Sequence, residues 1–420
     1  MTSRERLQAT LNHTEPDRLC LDFGAGFQTG MGVGAVHRLR NALFGTNGHR
    51  VKVVESYQML GEIDEELRQA LKLDVVGVHG AGTMFGFKNE GWKPFTLFDG
   101  TPVLVPGQFN VTPADDGGWL IYPEGDTTAS PCAWMPKDAC FFDALNRQPP
   151  LDEARLDPGD NCEEMQVVSD EEVRHYAGLA RHYHEGTTYG IYMTLPGTAF
   201  GDIALVPAPW MKRPKGIRGV QEWYMATVTH RDYVMKVFEV QCECALKSIE
   251  KLAAAVGDRV QVVFVSGTDF GTQTGQFCSA QTYRELYQPF HKKVNDHIHK
   301  LTRWKTFIHS CGSVVPFIPD FIEAGFDVLN PVQCSARGMD PRWLKREFGR
   351  QLVFWGGGVD TQQTLPFGTP DQVYRQVRER IDIFAEGGGF VFNAIHNIQS
   401  NVPTENILAM FRAVKDSQGT

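Results

Sequence analysis

Eight short apolar runs recur along this chain, starting near Leu19, Asp74, Tyr189, Val260, Trp304, Asp327, Leu352 and Gly389. Most are followed by a stretch with helical periodicity. Near-continuous apolar strands that alternate with helices must form a parallel sheet covered by those helices. Eight such units predict a (β/α)8 TIM barrel, with an open doubly wound sheet as the alternative. The barrel is preferred because polar residues recur where the runs end: Asp22, His79, Asp269, His309, Cys311, Gln333, Asp360 and His396. In a barrel those ends converge on one mouth, where function sits.

One region breaks the rhythm. Between residues 83 and 145 the runs become short and β-rich, and the turn pairs Asp99-Gly100 and Asp116-Gly117 separate them. This predicts an antiparallel β-hairpin insertion after the second strand, inside one barrel domain spanning residues 1–420. Residues 148–162 are rich in Pro and Asp and read as an exposed crossing loop. Thr2 and Glu5 have the spacing of a capping box, which starts a helix over 2–12.

Composition narrows the class. The net charge is -9 and no long Lys/Arg run occurs, so nothing favours nucleic acid as a partner. No apolar stretch approaches a membrane span, and the first residues lack the apolar core of a signal peptide. Nine scattered cysteines, an odd number, read as free thiols of a cytoplasmic protein rather than a disulfide framework.

The sharpest chemical signal is the run from Trp304 that ends in His309-Ser310-Cys311-Gly312. Side chains alternate along a strand, so His309 and Cys311 face one way and suit a shared zinc ion. The run from Gly389 ends near His396, the preferred third ligand. Cys334 competes for that role; it ranks lower because its neighbour Gln333 has the better parity for facing the barrel. Asp22 and Asp269 end strands beside glycines and are the catalytic candidates, as fourth ligand, general base or substrate anchor. The plainer alternative for each is a helix cap or loop carboxylate. His79, Gln273, Gln333, Asn393 and Gln399 are candidates for binding substrate. The Gly356–Gly358 and Gly387–Gly389 triplets lack the residues that complete a phosphate loop and read as tight turns. Cys242 and Cys244 read as packing residues, and His291, His297 and His299 as surface or capping residues.

The chain resembles the uroporphyrinogen decarboxylase superfamily over nearly its whole length outside residues 83–145. The resemblance rests on the opening Arg4…Asn12-His13…Glu15-Pro16-Asp17-Arg18, on Ser279…Tyr283…Tyr287-Gln288-Pro289-Phe290, on His309…Gly312, on Gly368…Val373, and on Val402-Pro403-Thr404-Glu405-Asn406-Ile407. It implies a (β/α)8 barrel. The His-x-Cys pair is similar to that of the zinc-dependent corrinoid methyltransferases in the superfamily. That likeness implies Zn2+ and a corrinoid carried by a partner protein, with a methyl group moving to or from a small substrate or acceptor. In that branch a cysteine precedes the Pro-x-Glu-Asn-Ile motif; here His396 stands in its place. The arginine motif of the decarboxylases is not recognisable near Asp22, so a metal-independent decarboxylase or lyase is the weaker expectation. The insertion is expected to shape the mouth or to support a homodimer.

Overall fold

A computed structural model of the chain describes residues 1–418. Its central sheet has eight parallel strands: β1 Cys20–Leu21, β2 Val75–Val78, β3 Gly190–Thr194, β4 Val262–Ser266, β5 Lys305–His309, β6 Val328–Asn330, β7 Val353–Trp355 and β8 Phe390–Phe392. The hydrogen-bonded order is β1-β8-β7-β6-β5-β4-β3-β2. The seam between β1 and β2 is closed by one residue. The Asp74 N–H donates to the Leu21 carbonyl at 2.8 Å, and the Asp74 carboxylate accepts the Leu21 N–H at 3.0 Å. The ring is therefore a TIM barrel.

The carboxylate at the seam is fully buried, so it needs partners. Arg6 and Arg18 each reach it at 2.7 Å, and the Ser3 hydroxyl at 2.8 Å. Arg6 comes from helix α1 (Ser3–Leu11), whose start carries the expected capping box of Thr2 and Glu5. The same helix inserts Leu7 and Leu11 among Cys20, Val75, Tyr192, Val262, Phe307, Val328, Val353 and Val391, the inward residues of the strands. Burying Leu7 completely contributes about 2 kcal/mol. Gly190 makes room for it: a Cβ there would lie 2.4 Å from Leu7 Cδ2. The helix thus plugs the end of the barrel opposite the mouth.

Two four-stranded sheets lie outside the ring. One is antiparallel throughout: Val111–Pro113, Trp119–Ile121, Ala133–Met135 and Asp143–Ala144. The other is mixed. Lys93–Thr96 and Pro102–Val105 form a hairpin, and the second of these pairs in parallel with Val51–Glu55. Val51–Glu55, which precedes β2, has no counterpart in the sequence reading. Its residues Val51, Val53 and Glu55 are buried in strict alternation, the mark of a half-buried strand. Phe85, Phe109 and Phe142 from this region pack edge-on, and they belong to the buried cluster that lines the outside of the barrel.

One reading is corrected. His291 is not a surface residue: it is fully buried, with Nδ1 3.0 Å from the Tyr283 hydroxyl and its ring edge-on to Phe326. It lies on the face of Gln288–Leu301 that packs inward with Val294 and Ile298. Among the described residues no helix is long and apolar enough to cross a membrane.

Candidate metal centre

His309 is the last residue of β5 and lies on the inward face with Phe307. Register places it beside Asn330 at the end of β6. Its Nδ1 is 2.5 Å from Asn330 Oδ1, and Asn330 Nδ2 donates to the Trp355 carbonyl at 2.8 Å. Because the Asn330 amide nitrogen is spent on Trp355, its oxygen must accept from Nδ1–H. That leaves His309 Nε2 with a lone pair. Cys311 Sγ is 3.3 Å from this Nε2.

The residues after β5 are held by their neighbours. Four consecutive amides donate out of the loop: Ser310 to the Asn330 carbonyl (2.7 Å), Cys311 to Asp269 Oδ1 (2.7 Å), Gly312 to Gln333 Oε1 (2.7 Å) and Ser313 to the Thr272 carbonyl (2.8 Å). Gly312 has φ +86°, and a Cβ there would lie 2.4 Å from the Gly271 backbone. No side chain fits where these two loops cross.

His396 comes from the loop after β8. The Ile395 N–H donates to the Val359 carbonyl, the Ile398 N–H to the Gly30 carbonyl, and Asn397 Oδ1 accepts the Gly30 N–H at 2.6 Å. The His309 and His396 rings stand 5.5 Å apart, edge to face. The ligand atoms of His309, Cys311 and His396 all lie within 4.8 Å of one another. Cys334 is not part of this group; its thiol turns back to the Val332 carbonyl.

The donor set suits zinc. Burial, joined at His396 by the neighbouring His309, brings both imidazoles down to about 4, so both rings offer neutral nitrogen. Burial, then the neighbouring Asp269, holds the Cys311 thiol well above its ordinary range. A thiol so placed ionises when a divalent cation supplies the missing positive charge. Zinc bonds of about 2.0–2.3 Å require only a small closing of these side chains.

Cys311 and His396 open into a cavity of about 350 Å³. Its other walls include Gln273, Gln333, Asn397 and Gln399. Gln333 Nε2 donates to Gln273 Oε1 at 3.0 Å, and Gln273 Nε2 to the Ser335 carbonyl at 2.6 Å, which fixes both amides. Four other expected site residues, Asp22, Asn393, His79 and Asp269, follow strand ends but do not line these walls. Asp22 is fully buried, takes the Ala25 N–H at 3.0 Å and Trp355 Nε1–H at 2.9 Å, and is pushed by burial to about 6. Asn393 Nδ2 donates to the Asp22 carbonyl at 2.6 Å. His79 stacks on Phe27 at 4.2 Å, with Nδ1 2.9 Å from the Thr194 hydroxyl, and burial brings it to about 4. Asp269 lies against Cys311, and burial raises its carboxyl.

The sequence reading missed Asn330, Asn397 and Asp202. Asn330 was within reach, as the polar residue that ends an apolar run. Asp202 has no such signal, because its loop folds over Gly267 from far along the chain. A Cβ on Gly267 would lie 2.6 Å from Asp202 Oδ2. Burial pushes the Asp202 carboxyl up to about 7, and nearby Asp269 adds to the shift.

Comparison with known proteins fits this arrangement. A methylated-thiol–coenzyme M methyltransferase of Methanosarcina mazei is 28% identical over 167 residues, 40% of each chain. A uroporphyrinogen decarboxylase of Shewanella loihica is 26% identical over 151 residues, 34% of this chain and 39% of that one. The matched stretches thus span about two-fifths of these relatives. A solved methyltransferase from Methanosarcina mazei superposes over 99% of both chains with a TM-score of 0.54 at 14% identity, a likeness of fold. The family model described as uroporphyrinogen decarboxylase (URO-D) matches residues 203–417, which carry β4 to β8 and all three metal-site residues. The match covers just over half the sequence, and the chain belongs to the uroporphyrinogen decarboxylase family.

Proposed function

We propose that the chain is a zinc-dependent methyltransferase that moves a methyl group between a small substrate or acceptor and a corrinoid carried by a partner protein. The observation that carries this reading is the His309, Cys311 and His396 group at the barrel mouth, open on its cavity side. The likeness to a methylated-thiol–coenzyme M methyltransferase supports it. Zinc with three protein ligands and an open position supplies Lewis acidity, which favours the thiolate of a bound thiol or polarises a bound methyl donor. The chain's own residues do the rest. Asn330 fixes the His309 tautomer, Asp269 holds the Cys311 loop and is the carboxyl placed to take a proton, and Gln273, Gln333 and Gln399 present amides to the polar part of the substrate. Asp22, Asn393 and His79 brace the first two strand ends around the mouth. The partner protein docks over that mouth.

The second reading is a metal-independent decarboxylase or lyase. The likeness to Shewanella uroporphyrinogen decarboxylases and the desolvated carboxyls of Asp202 and Asp269 favour it. Zinc per chain, measured with methyl transfer to or from a free corrinoid, separates the two. Cys311→Ala should lose most of its zinc and its activity, because a charged ligand disappears. Cys334→Ala should keep both. His396→Ala should lose more activity than metal. Loss of zinc in Cys334→Ala with none in His396→Ala would overturn the ligand assignment. Full turnover by the zinc-free chain would overturn the methyltransferase reading.

A further inference from the structure

A second cavity does not border the candidate metal-site group. It occupies about 440 Å³ between the segment after β3 and the helices Asp170–Gly186 and Arg231–Val256. Its wall is largely apolar, with Pro196, Leu205, Val206, Trp210, Trp223 and Val237. That volume and lining are those of a small-molecule site.

Most polar groups around it are spent, although the buried Trp223 Nε1–H has no acceptor. Arg218 holds Glu164 through two nitrogens at 2.6 and 3.0 Å, and its other donors go to backbone carbonyls of Lys215 and Asp160. Glu172 closes a capping box with Ser169. Gln241 Nε2 donates to the Gly197 and Ala199 carbonyls. Asp202 differs. Its Oδ1 takes the Ala204 N–H at 2.9 Å, while Oδ2, the oxygen over Gly267, receives no donor from the described residues.

We propose that this cavity binds a small organic cation of the methylated-ammonium class, with its charge on the Asp202 carboxylate and its methyl groups on the apolar wall. Counting Glu164, Glu172 and Asp202 against Arg218, the lining carries a net charge of -2 when all four are ionised. An anion meets no free cation there. A neutral apolar guest gives the Asp202 carboxylate no partner, which is costly. A bare metal ion finds too few oxygens. A methylated ammonium suits both the Asp202 carboxylate and the apolar wall to which Trp210 and Trp223 contribute. The inference does not depend on the metal or on methyl transfer.

The test is calorimetric titration of the full chain with tetramethylammonium, its neutral isostere tert-butanol and the anion pivalate, at low ionic strength. Tetramethylammonium should bind and the other two should bind at least tenfold more weakly. Asp202→Asn should weaken tetramethylammonium at least tenfold while keeping the wild-type circular dichroism spectrum. Leu205→Trp, which fills the cavity, should abolish binding. Equal binding of tert-butanol, undiminished binding by Asp202→Asn, or no binding of tetramethylammonium at tens of millimolar would overturn the proposal. Should Leu205→Trp fail to fold, Asp202→Asn and the three ligands decide alone.

Discussion

Asn330 never needs to touch a metal to decide how well one is held. By accepting the hydrogen bond of His309 Nδ1–H it leaves Nε2 as the nitrogen with a lone pair and fixes the ring facing Cys311. Partners of this kind typically change metal affinity by about 10–100-fold. Asn330→Ala should therefore weaken zinc by about that factor in a chelator competition, with Cys311 intact. Unchanged zinc affinity would show that the imidazole orients itself. A second residue acts on stability instead. Glu55 is buried, with only the Tyr57 and Gln58 N–H groups for company, and its carboxyl is pushed from 4.5 up to about 7. The folded chain thus keeps this proton to higher pH than the unfolded chain does. Where the folded state binds more protons, stability falls as pH rises. The loss begins near 4.5, is complete somewhat above 7, and amounts to about 3 kcal/mol. Glu55→Gln should flatten the decline in urea unfolding between pH 5 and 8. The His-x-Cys pair was legible in the sequence because two strong ligands shared a strand parity. Asn330 owes its role to His309 and Trp355 on neighbouring strands, and Glu55 owes its shift to burial, which its local partners do not reveal.

At the scale of elements, the eight barrel strands were legible because each is an apolar run buried on both sides. The strands Val51–Glu55 and Leu60–Gly61 were not. Val51–Glu55 is buried on one face only, Leu60–Gly61 is two residues long, and their pairing with Pro102–Val105 and with each other is a tertiary event. That pairing bears on the insertion. The hairpin Lys93–Thr96 with Pro102–Val105 completes its sheet only through Val51–Glu55, which lies outside residues 83–145. Phe142 also donates its N–H to the Tyr57 carbonyl at 2.8 Å. A fragment of residues 83–145 leaves these edges and Phe85, Phe109 and Phe142 without their cover. It should show no cooperative melting transition. A sharp transition in the isolated fragment would make it a domain in its own right.

For the whole molecule, the sequence pattern announced a ring but not what completes it. Asp74 closes the seam with its backbone and its side chain together, and Arg6 and Arg18 make that burial tolerable. No period in the sequence marks such a residue, because the partners of its carboxylate lie 53 to 71 positions away. The same holds for Asp202 over Gly267. The mouth draws its candidate ligands from the end of β5, the loop after it and the loop after β8, and their supports from β6 and the loop after β4. Amide hydrogen exchange offers a view of this arrangement. The N–H groups of Ser310, Cys311, Gly312 and Ser313 are each pinned by a different residue, so none can reach solvent while its neighbours stay in place. Their exchange should follow global opening of the barrel and be slow even without zinc, which adds only the stabilisation that its binding gives the whole fold. Rapid exchange in the zinc-free chain would mean that the ion organises the loop. Slow exchange means that the ordering entropy of the ligand loop is settled when the chain folds, and metal capture is left to three side chains moving on a fixed frame.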